Sequence, residues 1–184
     1  MASNSFHIES RLKNMPDIQR KYYYELIIPN ISKVAPGSKV DDLIVRCKQV
    51  TIPGRGNEPI ESNFMGMKQL FPGRVRFNGV LNATFEETED MNVMKTFYNW
   101  RELLLGVNPA GVNPGFGGGA NKRSVSTDVY IQMYKYDKTP TDFRIKIVNA
   151  WPSDVPDSDL AMAANEALTY QVGFSYDFWV LERV

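Results

Sequence analysis

The residues with which this chain could do chemistry are few. His7 is its only histidine and Cys47 its only cysteine, and they lie far apart in the sequence. A serine or thiol nucleophile needs a base within hydrogen-bond reach, and no second histidine exists to supply one. A single cysteine excludes an intrachain disulfide and a cysteine-built zinc site. Cys47 reads instead as a packed strand residue, since free cysteine behaves as a small buried hydrophobe. Asp154, Asp157 and Asp159 in "WPSDVPDSD" are the densest set of oxygen ligands. They lack the Asp-x-Asp-x-Asp-Gly spacing of a calcium loop and read as a solvated turn. "GFGGGANKRS" has the glycines of a phosphate cradle without its Gly-Lys-Ser/Thr ending, and reads as a connection. Arg74 and Arg76 could meet phosphate, but their place on an alternating strand favours acidic partners across it. Tyr170, Phe174, Tyr176 and Phe178 could stack on bases, yet their alternation reads as core or interface. No catalytic constellation, metal site or cofactor site results, and the chain reads as a non-enzyme.

The elements that carry these residues belong to one domain. With 184 residues, 43% hydrophobic and 23% charged, the chain is long enough to bury a core and ordinary in composition. Lys plus Arg equals Asp plus Glu at 21 each, so the basic excess of a nucleic-acid binder is missing. "MASNSFHIESRLKNMPD" has no apolar stretch resembling a secretory signal, and "ELLLGV", the densest apolar patch, is too short for a membrane span. These features imply synthesis in the cytosol.

Residues 1–20 read as a polar arm and 21–184 as a single β domain. "KYYYELIIP" alternates, with Tyr22, Tyr24, Leu26 and Ile28 on one face, and "DDLIVRCKQVTIP" reads as a second strand closed by Pro53. Residues 54–73, rich in Gly and Pro, read as a long hairpin or protruding loop. "GRVRFNGVLNATFEE" has the clearest period of two, with Val75, Phe77, Gly79, Leu81, Ala83 and Phe85 on one face. "TEDMNVMKTFYNWRELLLG" then changes to helical spacing, with Thr88 or Asp90 as candidate caps and Gly106 at its end. A flexible Gly-rich loop spans 106–126. "TDVYIQMYKYDKTPTDFRIKIVNAW" reads as a hairpin whose second strand should close at Pro152. "LTYQVGFSYDFWV" is the last strand. The sum is a mainly β fold: two packed antiparallel sheets forming a sandwich or barrel with one α-helix.

The C-terminal third then becomes informative. "KIVNAWPSDV" followed by "NEALTYQVGFSYDFW" closely resembles the tail tube proteins of contractile-tailed bacteriophages. In that family an alternating strand runs into Trp-Pro and a polar loop. An Asn-Glu pair follows, then a final strand ending in Asp, an aromatic residue and Trp. The matching positions are Trp151 and Pro152, Asn165 and Glu166, and Asp177, Phe178 and Trp179. "YELIIP", "VRCKQVTIPG", "FNGVLNATFEETEDMNVMKTFYNWRELLLG" and "VYIQMYKYDKTPTDFRIKI" resemble the rest of the family's domain in order, over roughly residues 20 to 180. Relative to the family pattern the N-terminal arm is longer, the Gly-rich connection after the helix is expanded, and "VLERV" runs past the usual Trp ending.

The resemblance implies a structural virion protein, made in the host cytoplasm, whose hexameric rings stack into the inner tail tube. It implies sheath, baseplate and tail-terminator proteins as partners, and DNA passing through the lumen without specific binding. Within that picture the apolar loop "ESNFMGMKQLF" suits a protrusion buried by the next ring, making Phe64, Met65, Met67, Leu70 and Phe71 the interface candidates. Three alternatives stay open from sequence: a tube protein of a related contractile injection or secretion particle, a small-ligand-binding β-barrel, and an enzyme with an all-oxygen metal site at Asp154, Asp157 and Asp159.

Overall fold

A computed structural model describes residues 18–35, 37, 38, 40–105, 122–155, 160 and 166–184. The fold is mainly β and antiparallel throughout. One sheet joins β1 (Tyr24–Ile27), β8 (Thr127–Tyr134), the first part of β9 (Pro140–Asp154) and β11 (Phe178–Arg183). A second joins the last part of β9 to β10 (Thr169–Ser175), β7 (Val80–Glu86) and β2 (Cys47–Val50). β9 therefore belongs to both sheets.

β9 changes sheets at Asn149, whose φ of 55° lies in the left-handed region that Asn tolerates better than most residues. The expected stop at Pro152 is not there. The strand runs through it to Asp154, with Pro152 buried opposite Phe174. The reason is local: β8 makes its last pair at Thr127 with Ala150, so beyond that point β9 has an open side where a missing N–H breaks no ladder bond. The C-terminal strand is likewise divided. β10 ends at Ser175 and β11 starts at Phe178, with the break beside the Asn149 kink, where the Asp177 amide donates to the Val148 carbonyl at 3.2 Å.

Three further expectations differ. Val40–Arg46 is a helix, α2, rather than the start of a strand. Leu43, Ile44 and Val45 look alike in either reading, but Asp41 and Asp42 in its first turn and Arg46 in its last suit the helix dipole. Only Leu43 of that triplet is buried, and Val45 is exposed. The long 74–86 strand is broken at Gly79, with φ 73°, into β6 (Val75–Phe77) and β7. The single expected helix, α3 (Asn92–Leu105), is joined by short turns α1 (Ile31–Val34) and α4 (Lys122–Val125), the latter inside the span read as flexible. The rest of that Gly-rich span, 106–121, and residues 1–17 of the arm lie outside the described residues.

α3 lies against the sheets through Val93, Phe97 and Trp100. Phe97 packs 5.0 Å from Phe85 and 5.8 Å from Phe174, centroid to centroid, and the Trp100 indole N–H donates to the Val125 carbonyl at 2.6 Å. Leu81, Ala83, Val129, Ile131, Ile147 and Val172 complete the core, as their alternation predicts. The helix start is capped by two residues. Thr88 Oγ1 accepts from the Asn92 amide at 3.0 Å, and the Glu87 carboxylate accepts from Val93 at 3.0 Å and Met94 at 2.8 Å.

Candidate assembly surface

Residues 54–77 leave the body as one continuous hairpin. At its base β3 (Arg55–Asn57) pairs with β6, and the Glu58 amide extends that ladder to the Arg74 carbonyl at 2.9 Å. At its tip β4 (Ile60–Phe64) pairs with β5 (Met67–Phe71). Met65 and Gly66, with φ of 49° and 81°, form the two-residue turn whose twist matches a hairpin. Gly73 has no substitute, because a β-carbon there would stand 1.9 Å from the Glu58 carbonyl oxygen. The ion pairs Arg74–Glu58 and Lys68–Glu61, both at 2.6 Å, bridge the strands. Arg74 thus finds the acidic partner its alternation calls for, across the hairpin.

The hairpin is amphipathic. The register puts Ile60 opposite Phe71 and Phe64 opposite Met67, with Ser62 and Gln69 between them, on one face. Glu61, Asn63, Lys68 and Leu70 occupy the other. Every residue of β4 and β5 is exposed, Phe64 at 66% and Met67 at 75%. Met65, at the turn, is 89% exposed, and Leu70 and Phe71 are also in solvent. A two-stranded ribbon is marginal by itself in water, and the apolar face of this one is exposed, with none of the described residues packed over it.

Trp179 fixes the ribbon to the body. Its indole N–H donates to the Gly54 carbonyl at 3.4 Å, the Arg55 guanidinium lies 5.4 Å from its ring centroid, and the Phe77 ring meets it edge-on at 6.5 Å. Gly54 and Arg55 lie on the outgoing side of the base and Phe77 on the returning side, so one side chain grips both.

The other motif residues have separate tasks. Asp177 accepts from Asn149 Nδ2 at 2.8 Å and from the Lys122 ammonium, and these two, Lys122 foremost, hold its carboxyl below the usual carboxylate range. Asp128 accepts from the Asn149 amide at 3.2 Å, so the kink of β9 is held from both sides. Pro152 is in the core, Trp151 is half-buried beside Ser175, and Phe178 is partly exposed opposite Val148. Glu166 is exposed, and Asn165 lies outside the described residues. The structure therefore places Asp177 and Trp179 at two joints of the fold, not in one pocket.

The residues of the rival chemistries fall only partly within the described structure. Among the described residues no group of His, Cys, Asp and Glu could hold a metal ion. Asp154 is exposed at the end of β9, and Asp157, Asp159 and His7 lie outside those residues. Cys47 packs against the core, and burial pushes its thiol up to about 11. A cleft of about 390 Å³ opens between α2 and the start of α3, but its lining includes Ser38, Asp42, Thr88, Asn92 and Thr96, not the apolar wall of a lipophilic ligand site. No helix among the described residues is long and apolar enough to cross a membrane.

Sequence reasoning missed Glu87, Asn149 and Gly73. Glu87 precedes the expected cap by one residue. Asn149 is a polar residue in an apolar alternation, a signal that was available. Gly73 follows Pro72 and could be read only as a turn.

Solved structures share this architecture. The chain is similar to the sheath-tube complex of the extracellular contractile injection system PVC in its extended state (TM-score 0.59, 11% identity, 98% of this chain and 100% of that one). It is similar to the sheath/tube terminator of the same system (TM-score 0.62, 10% identity, 92% and 99%), and to the tube terminating cap of the anti-feeding prophage (TM-score 0.62, 14% identity, 92% and 94%). At such identities these likenesses establish the fold. No curated protein matches the sequence. The sequence matches the phage tail tube protein family over residues 3–182, nearly its whole length, and the chain belongs to that family.

Proposed function

We propose that this tail tube protein assembles into hexameric rings that stack into the hollow inner tube of a contractile tail, and that the 54–73 hairpin forms the contact between rings. The observation that carries this reading is the exposed apolar face of Ile60, Phe64, Met67 and Phe71 on a ribbon whose base is pinned by Trp179. Such a face gains about 1.5–3 kcal/mol for each large side chain fully buried, and a neighbouring ring offers six copies of a receiving surface. Head-to-tail contacts close into a ring only at the right rotation, and stacked rings then build a tube. The proposed partners are other copies of this chain, a surrounding sheath, a baseplate and a terminator. The genome passes through the bore, and synthesis takes place in the host cytoplasm. Membership of a structural family supports a structural role without catalysis.

A second reading keeps the tube and changes the particle. The similar solved structures come from contractile injection systems, so the same subunit could serve an injection particle that carries no genome.

The test is removal of residues 61–70 with the strand ends rejoined by a short turn. The shortened subunit should fold, shown by unchanged far-ultraviolet circular dichroism outside the lost ribbon, and should give single rings by electron microscopy. Tubes of normal length from the shortened subunit would overturn the assignment of the hairpin.

A further inference from the structure

The tip of the hairpin carries thioether sulfur where the chain is most open to solvent. Of the eight methionines in the sequence, Met65, Met67, Met91, Met94 and Met133 lie among the described residues. Met133 is half-buried against the core, and Met91 and Met94 are about two-fifths exposed. Met94 Sδ also accepts from the Tyr170 hydroxyl at 3.5 Å. Met65 and Met67 stand much further out, 89% and 75% exposed. Met67 lies opposite Phe64 across the ribbon, and Met65 forms the turn beside Gly66.

A thioether is apolar and polarizable, and it fills irregular contacts well. Its sulfoxide is polar and disrupts an interface built on methionine. The conversion would leave the ribbon itself standing. Its strands are held by the backbone ladder between Ile60–Phe64 and Met67–Phe71 and by the Lys68–Glu61 and Arg74–Glu58 ion pairs, and none of these uses a thioether. The one thiol of the chain competes poorly for an oxidant. Thiolate is the reactive form, and burial keeps Cys47 protonated by pushing its thiol up to about 11.

We infer that Met65 and Met67 are an oxidation site that switches ring stacking: peroxide converts both to sulfoxides in free subunits, the oxidised hairpin no longer docks, and a stacked tube shields the same two residues. This rests on the tube reading above, with the hairpin as the contact between rings. In each conversion sulfur takes one oxygen from the peroxide as the O–O bond breaks, and the other oxygen leaves with both protons as water. Sulfur gives up two electrons and the peroxide gains them. A dithiol reductant reverses the step, the sulfoxide oxygen leaving as water while the dithiol becomes a disulfide. A polar oxygen brought unpaired into an apolar contact weakens that contact by about tenfold or more. Each ring repeats the loss at every subunit, so stacking should respond steeply.

The experiment uses the full chain, with hydrogen peroxide as the oxidant. Dissociated subunits are oxidised, the peroxide is destroyed with catalase, and peptide mass spectrometry locates each added oxygen. Tube formation is then followed by electron microscopy and sedimentation. Met65 and Met67 should oxidise before Met91, Met94 and Met133. The concentration needed for tubes should rise by about tenfold or more while single rings persist. Methionine sulfoxide reductases acting on both epimers, with a dithiol, should restore the tubes. In preformed tubes the same two methionines should oxidise roughly tenfold more slowly than in free subunits. Met65→Leu combined with Met67→Leu should stack, and should keep stacking after peroxide. Normal stacking by subunits with both sulfoxides confirmed would overturn the inference, as would equal peroxide sensitivity in the leucine variant. If that variant does not stack untreated, the reductase decides in the unaltered chain: tubes that stay lost after both sulfoxides are reduced also overturn it. Tubes that survive confirmed oxidation leave the tube reading intact, whereas an untreated chain that gives no tubes overturns that reading and the switch together.

Discussion

Trp179→Ala tests how the fold aims the hairpin. The substitution removes a hydrogen bond to the Gly54 carbonyl at 3.4 Å, a cation–π contact with Arg55 at 5.4 Å and an edge-on contact with Phe77 at 6.5 Å. A long neutral hydrogen bond contributes about 0.5–1 kcal/mol, an exposed cation–π contact about 0.5–1 kcal/mol and an aromatic pair about 0.5–1.5 kcal/mol. Together they hold the base of the ribbon by about 2 kcal/mol, which corresponds to roughly a thirtyfold change in local opening. Amide hydrogen exchange followed by mass spectrometry reads this directly. Peptides covering 55–58 and 74–77 should exchange about thirtyfold faster in the variant, while Val172 and Phe174 in the central strand should change much less. Trp179→Phe keeps part of the packing and should fall between. Equal acceleration of the base and the central strand would refute the reasoning, because Trp179 would then be a general core residue and not the hairpin's anchor.

Other predictions concern the helix, the hairpin and pH. Glu87→Ala leaves the Val93 and Met94 amides without their acceptor and should cost about 1–2 kcal/mol, seen in urea unfolding; Thr88→Ala, which frees one amide, should cost less. Gly73→Ala forces a β-carbon against the Glu58 carbonyl, so it should disturb the hairpin and block stacking while the α3 near-ultraviolet signal of Trp100 is retained. At alkaline pH the fold should weaken. Burial pushes Cys47 up to about 11 and Tyr24, beside it, up to about 12, and burial with the Glu25 carboxylate pushes Tyr134 up to about 12. The unfolded chain loses these protons from roughly 8.5 for the thiol and 10 for the phenols. Stability is therefore fully present below about pH 8.5 and falls as pH rises towards 12. Urea midpoints at pH 8, 10 and 11 should show this, with Cys47→Ser removing the first part of the decline. Asp177 works at the other end: its lowered carboxyl contributes stability above the ordinary carboxylate range that is lost as pH falls, and Asp177→Asn should flatten that limb.

Much of the fold was legible because one face of each long strand is buried. Alternation identified the inward residues Leu81, Ala83, Phe85, Val172 and Phe174 correctly, but Val75, expected on the same face, is exposed beyond the Gly79 break. Of the apolar residues at helical spacing in 91–105, Phe97 and Trp100 are buried while Met91, Met94 and Tyr98 are exposed. The joints were not legible. Whether a strand ends at Pro152 depends on where its neighbour β8 stops pairing, which no local pattern states. Val40–Arg46 could be read either way, because a short apolar run has no period of its own. The exposed apolar hairpin was legible for the opposite reason: Phe64, Met65, Met67, Leu70 and Phe71 between turn residues have no core to enter, and the structure leaves them in solvent. The tasks of Asp177 and Trp179 were hidden, since they act on Asn149 and Gly54, far away in sequence.

The most direct measurement is electron microscopy of the purified full chain across a range of concentrations, with sedimentation of the same samples. Rings at low concentration and hollow tubes of uniform bore at high concentration are the predicted result. Compact monomers at every concentration, persisting after addition of a baseplate initiator, would contradict the account.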